Sequence, residues 1–401
     1  MSKKDKNING IIHLSGSKSI SNRVLIIEAL MKADITKKNL SDSNDTIVLQ
    51  QLLRSSGATF DAHDAGTSFR FMTAFLAIKK GEWILTGSRR MKQRPISDLV
   101  KPLRKLGATI EYLEQENYPP LKISGGNIKG GRVAVQSGIS SQFASALLMI
   151  APCLEEGLTI ELTGNVVSEP YIEMTLSLMK HFGINHTHSD NIIHVPPQKY
   201  LPKDIYIESD WSAASYYYEM AAFSDKCDLT LIGLLQNSFQ GDAAIAALTE
   251  NFGVKTTYGD ARIHLTKTKP NNVFDFDLND QPDLAPALFV TCAGLSQKAS
   301  FTGLEHLQYK ESDREDALRK ELEKCGITMA RNDQEIHISG NFVPCEYAFS
   351  TYLDHRMAMA FTPLAMVSEK IKIENPDVVK KSYPGFWEDI KKLGFEIEEE
   401  Q

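Results

Sequence analysis

The chain has 401 residues, 42% of them hydrophobic and 24% charged, so it can bury a large core and is long enough for two domains. Its 44 Lys and Arg against 51 Asp and Glu leave a formal charge of −7, which excludes a nucleic-acid partner held through bulk positive charge. An anionic ligand must therefore be gripped by a local cluster of cations. The five cysteines, Cys153, Cys227, Cys292, Cys325 and Cys345, contain no CxxC pair and read as the reduced thiols of a cytoplasmic protein. The start, MSKKDKNINGII, is polar, and no later run approaches eighteen apolar residues, so neither secretion nor membrane insertion is expected.

In chain order, the first informative stretch is GSKSISNR, Gly16 to Arg23, ahead of the helical run VLIIEALMKA. It packs two cations and three hydroxyls into one turn. A helix opening near Ser19 would aim its N-terminal amides and positive dipole end at whatever sits beside Lys18, which makes an anion seat. It is not a P-loop, because no Gly-Lys-Ser/Thr stands at the required distance from a glycine. Further helices are predicted to open at Thr67, Ser140, Asp210, Asp242, Asp283, Ser312 and Asp354, most on residues that cap N-termini, with others over 95–106, 170–182 and 384–393. Ser312 with Glu315 has the spacing of a capping box. Strands are expected at LKISG, GLTIELTG, CDLTLIG and IKIEN, and GGNIKGGR (125–132) reads as a hairpin connection.

One phrase recurs six times: a helix end, a glycine and a short strand-like run, at Gly57, Gly107, Gly183, Gly253, Gly326 and Gly394. Glycine in each suits the left-handed residue that closes a helix. All spacings but the first, between Gly57 and Gly107, lie near seventy residues, too long for a solenoid and fitting a small α/β subdomain used six times. The best boundary between two halves is at Ser209–Asp210.

Five more stretches put charge or hydroxyls at helix starts: DAGTSFR (64–70), RRMKQRP (89–95), SSQ (140–142), KESDR (310–314) and DHR (354–356). Gly66 allows close approach to the backbone. Arg356 opens an apolar helix, where the macrodipole disfavours a cation. Taken singly, each stretch is equally well explained as a solvated cap. Six in a chain of negative charge point to a cleft for a multiply charged anion.

GSKSISNR, AGTSFR, RPISDL, SSQFASALL, YKESDR and DHRMAMAF, in this order, resemble the 5-enolpyruvylshikimate-3-phosphate synthase family from about residue 13 onward. The resemblance implies an α/β fold of two domains, an inside-out α/β barrel of six βαβαββ repeats closing like jaws. The short first interval implies a trimmed first repeat. The N-terminal domain would be 14–209, and 1–13 with 210–401 the C-terminal one. It implies transfer of the enolpyruvyl group of phosphoenolpyruvate to shikimate 3-phosphate by a cytoplasmic monomer, without cofactor, metal, nucleic acid or membrane.

Matched position by position, Lys18, Ser19, Arg23, Ser140, Ser141, Gln142, Ser168 and Tyr171 resemble the family's shikimate-phosphate contacts, joined by Asp283, His306 and Lys310. Lys18, Gly66, Arg94, Gln142, Arg314, Arg356 and Lys381 resemble the phosphoenolpyruvate clamp. Both substrates bring phosphate and carboxylate, so arginine forks and helix dipoles must offset their repulsion. A hydroxyl must lose a proton while an alkene carbon gains one, which calls for two carboxyls in different surroundings. Asp283 is expected to take the first proton, and Glu311, beside Lys310, to deliver the second. Asp64 departs from the family's usual asparagine, and Phe71 from a common proline, both beside residues that bear on glyphosate binding in the family. His306 reads as a ligand contact or a surface histidine. His186 and His188 are expected to be exposed, and Met357 and Met359 to pack in the core. The alternatives are an anion-binding homologue without catalysis and a UDP-N-acetylglucosamine enolpyruvyl transferase, whose loop cysteine RRMKQRP lacks.

Overall fold

The first strand, β1 (Asn7–His13), pairs in parallel with a strand more than two hundred residues later, because the chain leaves one folding unit, builds a second and returns. Residues 1–16 and 208–401 form the outer unit and residues 17–207 the inserted one, each around its own hydrophobic core. The computed structural model describes residues 1–3, 5–136, 140–164 and 167–398. At the re-entry point Ser209 Oγ donates to the Leu14 carbonyl (2.6 Å) and the Asp210 amide to that of Ser15 (3.1 Å), stitching the outgoing and returning segments of the outer unit together.

The inserted unit opens with α1 (Lys18–Met31), β2 (Lys37–Lys38) and α2 (Asn44–Arg54). A full βαβαββ group follows: β3 (Thr59–Asp61), α3 (Gly66–Ile78), β4 (Gly81–Thr86), α4 (Ser97–Lys105), β5 (Thr109–Tyr112) and β6 (Leu121–Gly125). The next group is β7 (Gly131–Gln136), α5 (Ser141–Ile150), β8 (Leu158–Thr163), α6 (Glu169–His181), β9 (Thr187–Ser189) and β10 (Ile192–Val195). Strand β11 (Ile205–Tyr206) then returns to pair in parallel with β2. In the outer unit β1 is completed by α7 (Trp211–Phe223), β12 (Lys226–Ile232), α8 (Ile245–Leu248), β13 (Val254–Gly259) and β14 (Arg262–Lys267). There follow β15 (Asp275–Asp277), α9 (Ala285–Gly294), β16 (Ala299–Thr302), α10 (Arg314–Lys324), β17 (Ile327–Asn332) and β18 (Glu335–Gly340). The chain closes on β19 (Glu346–Phe349), α11 (His355–Phe361), β20 (Lys370–Ile373) and α12 (Phe386–Lys392).

Four sheets share one plan: the first two strands of a group pair in parallel and its last two form an antiparallel hairpin, as in β3-β4-β6-β5. The two remaining groups, β11-β2 and β19-β20, are parallel pairs without the hairpin. Among the described residues two groups are therefore short, where one was expected. The parallel pairs require crossover helices, and α5, α7 and α9 are apolar nearly all round because they lie in the cores. Tyr216, Tyr217 and Tyr218 are all buried in α7, and Tyr217 meets the Tyr383 hydroxyl at 2.7 Å.

Several predicted details change. Helices α4, α6 and α12 match 95–106, 170–182 and 384–393 to within three residues at each end. The Asp242 opening is only a 3-10 turn, Gly241–Ala244, before the four-residue α8. GGNIKGGR is no hairpin, since β6 and β7 belong to different sheets. Its glycines let the backbone pass close to other carbonyls: a Cβ on Gly125 would fall 2.1 Å from Leu76 O. Of the six repeated glycines, five have φ between 73° and 105°, whereas Gly57 does not, because α2 ends three residues before it on an extended Ser55. No helix among the described residues is long and apolar enough to cross a membrane.

Candidate active site

In the inserted unit the helix starts cluster as the charge pattern suggested. Ser17 caps α1 by accepting from the Ile20 amide, so the helix opens at Lys18, one residue ahead of the expected Ser19. Lys18 Nζ lies 3.3 Å from Asp45 Oδ2, a carboxylate buried in the first turn of α2. That contact was not anticipated, although Ser43 ahead of Asp45 is a capping signal. Ser68 in α3 donates to the Asp45 carbonyl at 3.0 Å, joining α2 to α3.

At the start of α3 the N-cap position is Ala65, which offers no side-chain acceptor to the helix amides. Two guanidiniums close over that end. A Cβ on Gly66 would stand 2.5 Å from Arg94 Nη1 and 2.7 Å from Arg70 Nη1, so any larger residue would push these guanidiniums from their positions. Arg70 donates to Gln142 Oε1 (3.0 Å), and Gln142 Nε2 donates to Thr67 Oγ1 (3.2 Å), which ties α5 to α3. Ser140 caps α5, accepting from the Gln142 amide, and Ser141 is its buried first residue. Residues 137–139, just before this cap, lie outside the described residues.

Arg23 is drawn inward. Only 1% exposed, it donates to Thr175 Oγ1 (2.7 Å), Ser19 O (2.9 Å), Ser145 Oγ (3.1 Å) and Tyr171 O (3.1 Å). Burial pushes its pKa down to about 10, still well above neutrality. Arg23 thus fastens α1, α5 and α6 together, and carries Tyr171 and the left-handed Ser168 (φ 59°) with them. Asp64 is exposed and accepts from the Ser88 hydroxyl.

The outer unit holds a different cluster. Arg314, 1% exposed, pairs with Asp354 Oδ2 through Nε (2.8 Å), with Asp283 through Nη1 (3.1 Å) and with Glu311 through Nη2 (2.8 Å). Arg356 Nη2 lies 2.8 Å from Asp283 Oδ2 and 3.4 Å from Ser212 Oγ. Lys310 stands 3.6 Å from Asp283, and Lys381 3.8 Å from Glu311. Arginine at the start of α11 is tolerated because Asp283 offsets the unfavourable dipole, while Asp354 caps the helix by accepting from the Arg356 amide (2.9 Å).

Two local expectations give way here. Asp283 lies in a 3-10 turn, Pro282–Leu284, before α9. The cap of α10 is Asp313, accepting from the Asp316 amide, so there is no Ser312–Glu315 capping box. Ser312 instead donates to Asp354 (3.1 Å), and Glu315 forks with Arg331. Both were recruited by stronger charged partners than a backbone amide.

The electrostatics follow from burial and pairing. Burial works to raise the Asp283 pKa, but Arg356, with Lys310 and Arg314, holds it well below the usual carboxylate range. Burial pushes Lys310 down, and Asp283 partly restores it. His306 is buried, not a surface residue, and neither ring nitrogen has a hydrogen-bond partner among the described residues. Burial, with Lys310 nearby, lowers its pKa to about 3, so the imidazole is neutral. Asp242, also buried and not anticipated as a site residue, accepts from Ser212 and lies close to Asp283; burial and that neighbour push it up to about 6 against the pull of Arg356. Only its place after a glycine at a helix-like start hinted at it. Met357 and Met359 are core residues.

The family model for EPSP synthase (3-phosphoshikimate 1-carboxyvinyltransferase) matches residues 2–64 and 49–390. The 3-phosphoshikimate 1-carboxyvinyltransferase of Bacteroides fragilis is 46% identical over 395 residues, covering 97% of this chain and 96% of the relative. That of Vibrio campbellii is 35% identical over 415 residues, covering 96% and 97%. Among solved structures, the EPSP synthase from Acinetobacter baumannii shares the fold with a TM-score of 0.79 at 21% identity, over 98% of this chain and 97% of that one. The enolpyruvyl transferase NikO from Streptomyces tendae shares it with a TM-score of 0.75 at 14% identity, over 98% and 96%. With a family model matched along nearly its whole length and relatives this similar end to end, the chain belongs to the EPSP synthase family.

Proposed function

We propose that the chain transfers the enolpyruvyl group of phosphoenolpyruvate to the 5-hydroxyl of shikimate 3-phosphate and releases phosphate. The observation that carries this is the 46% identity, over 97% of the chain, to a protein named for that reaction. The site residues support it. Lys18, Ser19, Ser140, Ser141, Gln142, Ser168 and Tyr171 hold shikimate 3-phosphate, with Asp283, His306 and Lys310 at its ring. Arg23 sits behind this set and orders the helices that present it. Gly66 leaves room for Arg94, which with Lys18, Gln142, Arg314, Arg356 and Lys381 binds phosphoenolpyruvate.

The chemistry is an addition followed by an elimination. The 5-hydroxyl oxygen bonds to C2 of phosphoenolpyruvate while its proton passes to Asp283, and C3 takes a proton from Glu311, leaving a tetrahedral intermediate. The C2–O bond to phosphate then breaks as C3 gives back a proton, which restores the double bond. Asp283 is a feeble base while Arg356, Lys310 and Arg314 surround it. Substrate carboxylate and phosphate compete for those cations, weakening their hold and raising the basicity of Asp283 at the moment it is needed. Neutral His306 adds no further charge beside Lys310.

A phosphate-release assay tests the proposal. Turnover should require both substrates, and calorimetry should show shikimate 3-phosphate binding first and phosphoenolpyruvate binding to the binary complex. Binding of shikimate 3-phosphate without phosphate release would identify a catalytically impaired homologue. Turnover with UDP-N-acetylglucosamine in its place would identify the related transferase.

A further inference from the structure

Helix α6 and the segment leading into β9 carry four potential metal ligands. Glu169 and Glu173 stand four apart on α6 and so lie one turn apart on one side of it. His186 and His188 stand two apart, His188 within β9 and His186 just before it. A carboxylate oxygen of each glutamate and a ring nitrogen of His188 lie within 4.8 Å of one another. His188 Nδ1 is already 2.9 Å from Glu173 Oε1.

His186 lies within electrostatic reach of Glu173 and His188, and its Nδ1 is buried without a hydrogen-bond partner among the described residues. Neither histidine is as exposed as expected: both are partly buried. Tetrahedral zinc, with bonds of about 2.0–2.2 Å to nitrogen and oxygen, needs donors roughly 3.3–3.5 Å apart. Glutamate rotamers can close the difference, since Glu169 and Glu173 are exposed. Imidazole beside carboxylate suits zinc-like ions, not the all-oxygen sites of magnesium and calcium.

We propose that Glu169, Glu173 and His188, with His186 as a fourth donor, form a surface site for a divalent transition metal of the zinc type. A bound ion fastens the first two turns of α6 to β9 and stabilises the inserted unit. This inference does not rest on the transferase reading.

Calorimetric titration of the full chain with ZnCl2, after chelator dialysis, should show one equivalent bound at micromolar concentration. The double variant Glu173→Gln, His188→Asn should weaken it at least about tenfold, and ZnCl2 should raise the melting temperature of the unmodified chain but not of this variant. Cys153 is the exposed thiol that would compete, and Cys153→Ser should leave the binding unchanged. The proposal falls if no saturable binding is seen. It falls equally if the double variant binds as the unmodified chain does, or if Cys153→Ser abolishes the binding.

Discussion

The two charged clusters differ in how their cations are matched. In residues 17–207, Lys18, Arg23, Arg70 and Arg94 gather around helix starts, with Asp45 the buried carboxylate among the side chains described there and Asp64 an exposed one. In the outer unit Lys310, Arg314, Arg356 and Lys381 meet Asp242, Asp283, Glu311 and Asp354 in comparable number. In the proposed reaction, the cations beside these helix starts seat a substrate anion. A nearly balanced set of buried ion pairs holds carboxyls in defined protonation states, which is what proton transfer requires. Binding and proton chemistry thus call for different charge arithmetic within one protein.

The comparison can be broken first at Arg314. Arg314→Ala leaves Asp354, Asp283 and Glu311 without their shared partner, and should cost roughly 3–5 kcal/mol in urea unfolding of the outer unit. A loss under about 1 kcal/mol would show that the carboxylates do not depend on it.

The next test sets one residue of each cluster against the other. Asp283→Asn should lower kcat on the order of 10²–10⁴-fold with little change in the KM for shikimate 3-phosphate. Lys18→Met should lower kcat/KM on the order of 10²–10³-fold and weaken calorimetric binding of that substrate. If the two variants behave alike, the separate roles proposed for Asp283 in proton transfer and Lys18 in substrate binding are wrong.

Glu219 in α7 gives a medium effect that the inserted unit should lack. It is buried, neither carboxyl oxygen has a hydrogen-bond partner among the described residues, and burial raises its pKa well above the ordinary value. The folded state therefore keeps a proton that the unfolded chain releases near pH 4.5. Its contribution is whole below that pH and is lost as pH rises towards the folded pKa, at about 1.4 kcal/mol per unit. Glu219→Gln should flatten this decline, visible as a smaller difference between urea midpoints at pH 5 and pH 8.

The smallest effect concerns the repeated glycines. Gly57→Ala, at ordinary φ with its nearest neighbour 3.6 Å away, should stabilise by roughly 0.4–1 kcal/mol. Gly253→Ala, at φ 73° and 2.4 Å from the Thr268 carbonyl, should destabilise by more than that. Equal melting shifts would mean that the first phrase is no exception.

Much of this was legible in the residues because it rests on local rules. Ser140, Asp210 and Asp354 cap helices where their types suggest, since a short polar side chain at such a start has few competing partners. Five of the six repeated glycines close helices in the left-handed region because that conformation is decided within a turn. Capping at Ser312 failed because a buried carboxylate from another helix outbid the local amide, and Asp45 went unmarked because its value lies in reaching Lys18. No spacing in the chain announces either contact.

The order and spacing of the charged helix starts, the recurrent helix-glycine-strand phrase and the negative overall charge were enough to set the fold class and to nominate an anion site, because each can be read from residue identity and order without knowing which distant segments meet. Which cation meets which carboxylate, that Arg23 and His306 are buried, and that two groups of strands stop short depended on distant segments, as far apart as Ser2 and Glu396, packing into two cores. Burial and charge pairing act through space, and only the folded chain brings their partners together.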